Sequence, residues 1–121
     1  MGPTGGQRDL VGGWAPERGD IVWIDFSPQA GREQAGHRPA VVLSSVSYNQ
    51  LIGLAVCVPL TTRIKGYPFE VPIGGDRASV ALADHVKSLD WRNRGARPKG
   101  RATADELAAI VAVIGEVIGL P

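Results

Sequence analysis

The 121-residue chain is poor in several things, and each shortage excludes something. It holds one cysteine, Cys57, so no disulfide can form within the chain, which fits a reducing cytoplasm. Its two histidines, His37 and His85, stand far apart, and no ligand pair has metal spacing, so no metal centre and no cofactor are expected. No apolar run approaches the length of a bilayer span, and no membrane association is expected. The opening stretch MGPTGGQRDLVGG lacks the apolar core of a secretory signal. Residues 1–18, Gly-rich and aperiodic, read as a flexible leader, native or left by cloning. Net charge is only +1, so overall charge identifies no polyanionic partner. With no internal repeat, residues 19–121 are expected to form a single domain.

What is present supports a small, turn-rich core. Hydrophobic residues make up 44% of the chain, while Gly 16 and Pro 9 argue against a helix-dominated fold. Asp20 to Phe26 (DIVWIDF) is β-branched and aromatic, with Ile21 and Trp23 on one face and Val22, Ile24 and Phe26 on the other. A long polar loop follows, of the kind that usually serves a function. Pro39 is expected to start a second strand, where a missing N–H costs no ladder bond. Ser44 to Asn49 suits a short helical turn, Leu54 to Leu60 a third strand, and Pro68 to Ile73 a fourth whose Pro72 marks an edge. Ser79 to Leu89 reads as one bent strand or two, bending at Asp84 and His85. Thr103 and Glu106 form a capping box. Behind it Leu107, Ile110, Val111, Ile114, Val117 and Ile118 recur at helical spacing. The expected picture is one amphipathic helix packed on a small, bent β-sheet.

Candidate chemistry is concentrated in a few places. Cys57 lies between Val56 and Val58 with no adjacent activating cation, the setting of a packed thiol rather than a nucleophile. From His85 to Arg101 there are six basic residues, Lys87, Arg92, Arg94, Arg97, Lys99 and Arg101, against Asp90 alone. This run reads equally as a nucleic-acid footprint or as a solvated loop. Trp91 inside it suits base stacking or a subunit interface equally well. Glu33, His37 and Arg38 lie within six residues. Arg38, just before Pro39, is biased to extended backbone at the loop–strand junction. By composition alone, ordinary loop polarity explains that group better than a site does. Thr61 and Thr62, followed by Arg63 and Lys65, could hold a phosphate or simply reflect the β-propensity of threonine.

The segments GDIVWIDF, EQAGHRPAVVLS, CVPLTT, KGYPFEV and VALADHVKSLDWRNRG, in this order and followed by the closing helix, resemble the MazF/PemK family of toxin endoribonucleases. The likeness runs from about Gly19 to Gly119. It implies a mainly β fold with α additions, an SH3-like β-barrel of the PemK/CcdB type with a C-terminal amphipathic helix. It also implies a homodimer that cleaves single-stranded RNA, mRNA in particular, without metal. Arg38 and Thr61 match the family's central catalytic pair and Glu33 a loop acid the family also uses. His37 lies in the same motif and is expected to contact RNA, as are Thr62, Arg63, Lys65, Lys87 and Arg94. His85 departs from the glutamine that close relatives often carry. A cognate antitoxin with an acidic, initially disordered segment is the expected protein partner.

The implied reaction is attack of a ribose 2′-hydroxyl on the adjacent phosphate. A guanidinium suits the phosphorane, being planar, permanently charged and able to grip two oxygens. It is a poor base, so proton removal falls to Glu33, if burial under RNA raises its pKa, or to the imidazole of His37. Glu33 is preferred through the family match. Two other readings stay open: a gyrase-poisoning toxin of the same fold, which would have no use for Arg38 and Thr61 as a unit, and a non-catalytic SH3-like RNA-binding module.

Overall fold

The computed structural model describes residues 13–27, 36–75 and 77–120. Among these, seven strands and two helices form: β1 Asp20–Asp25, β2 His37–Val42, α1 Val46–Ile52, β3 Ala55–Thr61, β4 Glu70–Ile73, β5 Ser79–Leu82, β6 Lys87–Leu89, β7 Arg97–Arg101 and α2 Ala104–Ile118. Every pairing is antiparallel, in the order β4-β5-β3-β2-β1-β7, with β6 also on β3. Among the described residues β4 and β7 end the path without pairing to each other, so the sheet is not closed. Both end strands carry a proline, Pro72 and Pro98, where one row of ladder groups has no partner to satisfy.

Strand alternation divides the interior in two. Val22, Ile24 and Phe26 pack with Ala40, Val42, Cys57, Leu89 and Trp91 on one side. Ile21, Val41, Val58, Leu60 and Ile73 meet Ile110 and Leu107 of α2 on the other. The period of two read from Asp20 to Phe26 therefore holds. One edge of β3 changes partner along its length, pairing Ala55–Cys57 with β6 and Leu60–Thr61 with β5. Pro59 falls at this change, where a missing N–H is easily accommodated. The stretch Ser79 to Leu89 is thus two strands, broken by a turn at Ala83 and Asp84.

Helix α2 forms as its cap predicts. Thr103 accepts from the Glu106 N–H at 3.1 Å, and the Glu106 carboxylate accepts from the Thr103 N–H at 2.8 Å. Gly119 closes the helix at φ 78°. Only part of the expected apolar stripe reaches the sheet. Val111, Val117 and Ile118 are exposed, as is Leu120 beyond the helix.

Several expectations are corrected. Packed structure starts before Gly19: Ala15 and Pro16 are buried, and the Trp14 ring meets Trp91 edge-on at 6.1 Å. The last residues of the expected leader are therefore part of the fold, while residues 1–12 lie outside the described residues. Trp91 faces neither RNA nor a subunit surface. It is buried, and its Nε1 donates to the Asn49 carbonyl at 2.9 Å, which satisfies the indole within the chain. Pro39 is inside β2 rather than at its start, paired across from Trp23. Strand β7, read only as a basic run, forms because its backbone completes the free edge of β1, with a register shift at Ile21/Val22. Asn49 is fully buried and holds α1 down, donating to the carbonyls of Pro16 and Ser44 at 2.8 and 3.1 Å.

Candidate active site

Arg38 and Thr61 are 23 residues apart, and strand register brings them together. β2 and β3 pair antiparallel with Ala40 opposite Pro59, and continuing that register outward by two residues sets Arg38 across from Thr61. Two grooves meet at this point. One, of about 570 Å³, is lined by Trp23, His37, Arg38, Thr61, Thr62, Arg63, Arg77, Ser79 and Lys99 among others. The second, of about 820 Å³, is lined by Arg38, Thr61, Arg63, Lys65, Tyr67, Phe69, Glu70, Asp84 and His85 with Pro68 and Leu82. Arg38, Thr61 and Arg63 belong to both and form the saddle between them.

Thr61 is oriented by its neighbour. Its Oγ1 accepts the Arg63 backbone N–H at 3.0 Å, which leaves the hydroxyl hydrogen to be donated. The first groove gathers Arg38, Arg63, Arg77 and Lys99, with no carboxylate among its described lining residues, and is called the cationic groove below. Lys99 reaches it from β7, with Nζ 5.3 Å from the centre of the Trp23 ring. The second groove pairs its cations with Glu70, Asp84 and two rings, and is called the aromatic groove.

His37 lines the edge of the cationic groove, and the other expected residues fall elsewhere. His37 is exposed at the start of β2, opposite Asp25, and an added Cβ on Gly95 would lie 3.1 Å from its Nε2. Gly95, at φ +65, is thus the residue that admits the imidazole. Arg94 donates to the carbonyls of Asp25 at 3.0 Å and Ser27 at 3.1 Å. Lys87 Nζ stands 5.8 Å from the centre of the Phe26 ring. Neither Lys87 nor Arg94 lines either of these two grooves. Both instead stand where β1 ends, and there the chain is drawn together: Phe26 N–H donates to the Gly36 carbonyl at 3.2 Å and Gly36 N–H to Ser27 Oγ at 2.9 Å. Asp25 is held below the usual carboxylate range because it accepts the backbone N–H and the hydroxyl of Ser27, so it stays ionised across from His37. Glu33 lies outside the described residues. Burial pushes the Cys57 thiol up to about 12, which leaves it a packed thiol and no nucleophile.

Trp23, Arg77 and Ser79 were not singled out by sequence reasoning, and Lys99 only as one member of a basic run. Alternation on β1 places Trp23 on the groove side of its strand. No local signal marks Arg77 or Ser79, which arrive through the pairing of β5 with β3. Among the described residues no group of three or more His, Cys, Asp or Glu is placed to hold a metal, and no helix is long and apolar enough to cross a membrane.

Arg38 and Thr61 thus stand between two open grooves, on a small antiparallel sheet backed by one long helix, and comparison with known proteins places the chain itself in a family. The profile of the PemK-like, MazF-like toxins of type II toxin–antitoxin systems matches residues 17–118, and the chain belongs to that family. It is 54% identical over 111 residues to the endoribonuclease toxin MazF of Escherichia coli K12, covering 91% of this chain and 100% of that one. The crystal structure of MazF from Deinococcus radiodurans superposes with a TM-score of 0.82 at 47% identity, over 88% of this chain and 99% of that one. A MazE–MazF crystal structure from the same organism gives 0.81 at 46% identity, over 89% and 99%.

Proposed function

We propose that this protein is the toxin of a type II toxin–antitoxin pair and a sequence-specific endoribonuclease that cuts single-stranded RNA, mRNA in particular, without a metal. The carrying observation is that Arg38 and Thr61 meet at the saddle of two grooves, one of them lined by Arg38, Arg63, Arg77 and Lys99 and, among the described residues, by no carboxylate. The scissile phosphate sits at the saddle. The 2′-hydroxyl oxygen attacks phosphorus and gives its proton to a base. The bond to the 5′-oxygen breaks, that oxygen takes up a proton, and the products are a 2′,3′-cyclic phosphate and a 5′-hydroxyl end. Arg38 neutralises the phosphorane, while Thr61 donates its hydroxyl hydrogen to a phosphate oxygen. Glu33 is the base, with His37 beside the cationic groove as its rival. Thr62, Arg63 and Lys65 follow the RNA backbone. Lys87 and Arg94 act by fastening the end of β1 from which the Glu33 loop leaves.

Single strands are preferred because in-line attack needs a backbone free to leave helical geometry, and unpaired bases can be splayed and read. We read the seven-stranded, unclosed sheet as a partly open SH3-like barrel in a single domain. The unpartnered apolar residues of α2 supply a surface for a homodimer. The antitoxin, named as MazE in the complexes of the relatives, carries an acidic segment that covers the cationic groove in the cytoplasm. Incubation with a long single-stranded RNA in EDTA tests the reading: discrete fragments ending in cyclic phosphate are expected. Intact RNA at high protein concentration would reject the enzyme and favour a gyrase poison or a non-catalytic binding module.

A further inference from the structure

The basic run from His85 to Arg101 contains one acid, Asp90, and no step of the mechanism above uses it. Asp90 stands at the head of the turn, residues 90–96, that joins β6 to β7. Its carboxylate clasps Asn93 twice, accepting the backbone N–H at 3.1 Å and the side-chain amide at 2.7 Å. The Arg94 N–H donates to the Asp90 carbonyl at 2.9 Å, which closes a single helical turn with Asp90 as its cap. The Asn93 N–H first, and then its amide, hold the Asp90 carboxyl below the usual aspartate range, so the clasp is ionised at neutral pH. One side of the turn is fixed to the interior: Trp91 is buried, its Nε1 donates to the Asn49 carbonyl, and the Arg92 guanidinium lies 4.6 Å from the centre of its ring. The other side reaches the end of β1. There Arg94 donates to the carbonyls of Asp25 and Ser27, and its own carbonyl accepts the Asp25 N–H at 3.0 Å.

Two strand ends meet at that place. Ser27 Oγ accepts the Gly36 N–H, Glu33 lies between the two in sequence, and His37 follows at once. Both residues that compete for the role of base are thus tethered where Arg94 grips the backbone. We propose that Asp90 is a positioning residue for RNA cleavage: its clasp on Asn93 sets the turn that delivers Arg94 to the carbonyls of Asp25 and Ser27. This rests on the ribonuclease reading above. Neither Asp90 nor Asn93 lines either groove, so the clasp acts on the rate, through Arg94, and not on the hold of RNA. An ionised carboxylate suits the task because it only accepts, and Asn93 presents two donors to it. Without the clasp, Gly95 at φ +65 leaves the turn free to take other forms, and ordering it again costs conformational entropy.

The test measures kcat and KM of the whole protein on one long single-stranded RNA, well below the denaturation midpoint, where a loss of stability alone leaves the rate unmoved. Asp90→Ala should lower kcat by roughly five- to tenfold and leave KM within about twofold. Asp90→Asn keeps an acceptor for the Asn93 N–H and should restore most of the rate. Asn93→Ala keeps the backbone N–H and should cost less than Asp90→Ala. Arg94→Ala should lower kcat at least as far as Asp90→Ala. The double variant Asp90→Ala/Arg94→Ala should be no slower than Arg94→Ala alone, because the clasp acts through Arg94. Losses that multiply in the double variant, or a kcat for Asp90→Ala within about twofold of the parent, overturn the proposal. A second readout needs no cleavage. Amide hydrogen exchange at Asp25, Phe26 and Gly36 should quicken in Asp90→Ala while the β2–β3 ladder exchanges as in the parent. Unchanged exchange at those three amides overturns the proposal even if kcat falls. Quickened exchange in the variant of a parent that cuts no RNA would reject the ribonuclease reading and keep Asp90 as the fastener of the two strand ends.

Discussion

In the cationic groove Arg77 and Lys99 join Arg38 and Arg63, and among the described residues no carboxylate lines the surface; in the aromatic groove Lys65 is met by Glu70, Asp84 and two exposed rings. Both share one wall, so the contrast lies wholly in what surrounds it. A phosphodiester chain is uniform, and a strip of like charge can follow it without regard to sequence. Bases differ, and reading them takes rings and directional acceptors. Each rim is also fastened by a single carboxylate. Glu106 accepts the Gly74 N–H at 2.8 Å beside the cationic groove, and Glu70 accepts the N–H groups of Lys65 and Gly66 beside the aromatic one. Affinity and selectivity should therefore separate experimentally, while chemistry at the shared wall should not.

The shared wall gives the largest expected effect. Arg38→Ala and Thr61→Ala should each cost about a hundredfold or more in kcat, as loss of a contact to developing charge does. Neither should change base preference or folding. Arg38→Lys should also be poor, because an ammonium lacks the bidentate fork. Near-parental turnover in any of the three, measured on one long RNA, rejects the saddle as the reacting centre. A smaller effect is expected in the cationic groove alone. Lys99→Ala and Arg77→Ala should each weaken binding by roughly tenfold at low salt, uniformly across RNA sequences. Each should also make the dependence of log K on log salt shallower by about 0.7. A change in cut-site preference without a change in salt slope would erase the division between the grooves.

The division was only partly legible in the sequence. The α2 boundary could be read from Thr103 and Glu106 because a capping box is local, and the two faces of β1 because alternation is local. Arg38 and Thr61 each looked ordinary by composition and stood out only through the family resemblance. Their meeting depends on the β2–β3 register, a property of two distant segments. The same resemblance picked out His37, Thr62, Arg63 and Lys65, which line one groove or the other, and also Lys87 and Arg94, which line neither. Arg97–Arg101 has no strand-forming side chains, and only the open edge of β1 makes it a strand, so Lys99 could not be placed. Trp91 was misjudged for a related reason: its partner Trp14 lies in a segment that by glycine content looked unstructured. Tyr67 and Phe69 sit in a motif that carried the resemblance, yet their exposure is a tertiary fact.

The smallest effect concerns how the rim of the cationic groove is held. The Glu106 carboxylate is held below the usual glutamate range, first by the Gly74 N–H and then by that of Thr103, so it binds the folded state in its ionised form. A carboxyl whose folded pKa is lowered stabilises the protein above its unfolded pKa, and that stabilisation is lost as pH falls through the lowered folded value. Glu106→Gln keeps the shape and a capping acceptor but removes the charge at the start of α2. It should cost about 0.5–1 kcal/mol at neutral pH, read as a lower denaturation midpoint. The gap between parent and variant should narrow below about pH 4.5, the ordinary glutamate range, and close once the parent is protonated. A gap that stays constant to low pH would mean that Glu106 acts through shape alone. Because Gly74 lines the cationic groove and not the aromatic one, the variant should loosen RNA binding slightly while leaving base preference intact. A change in preference instead would show that the two rims are mechanically coupled through the shared wall.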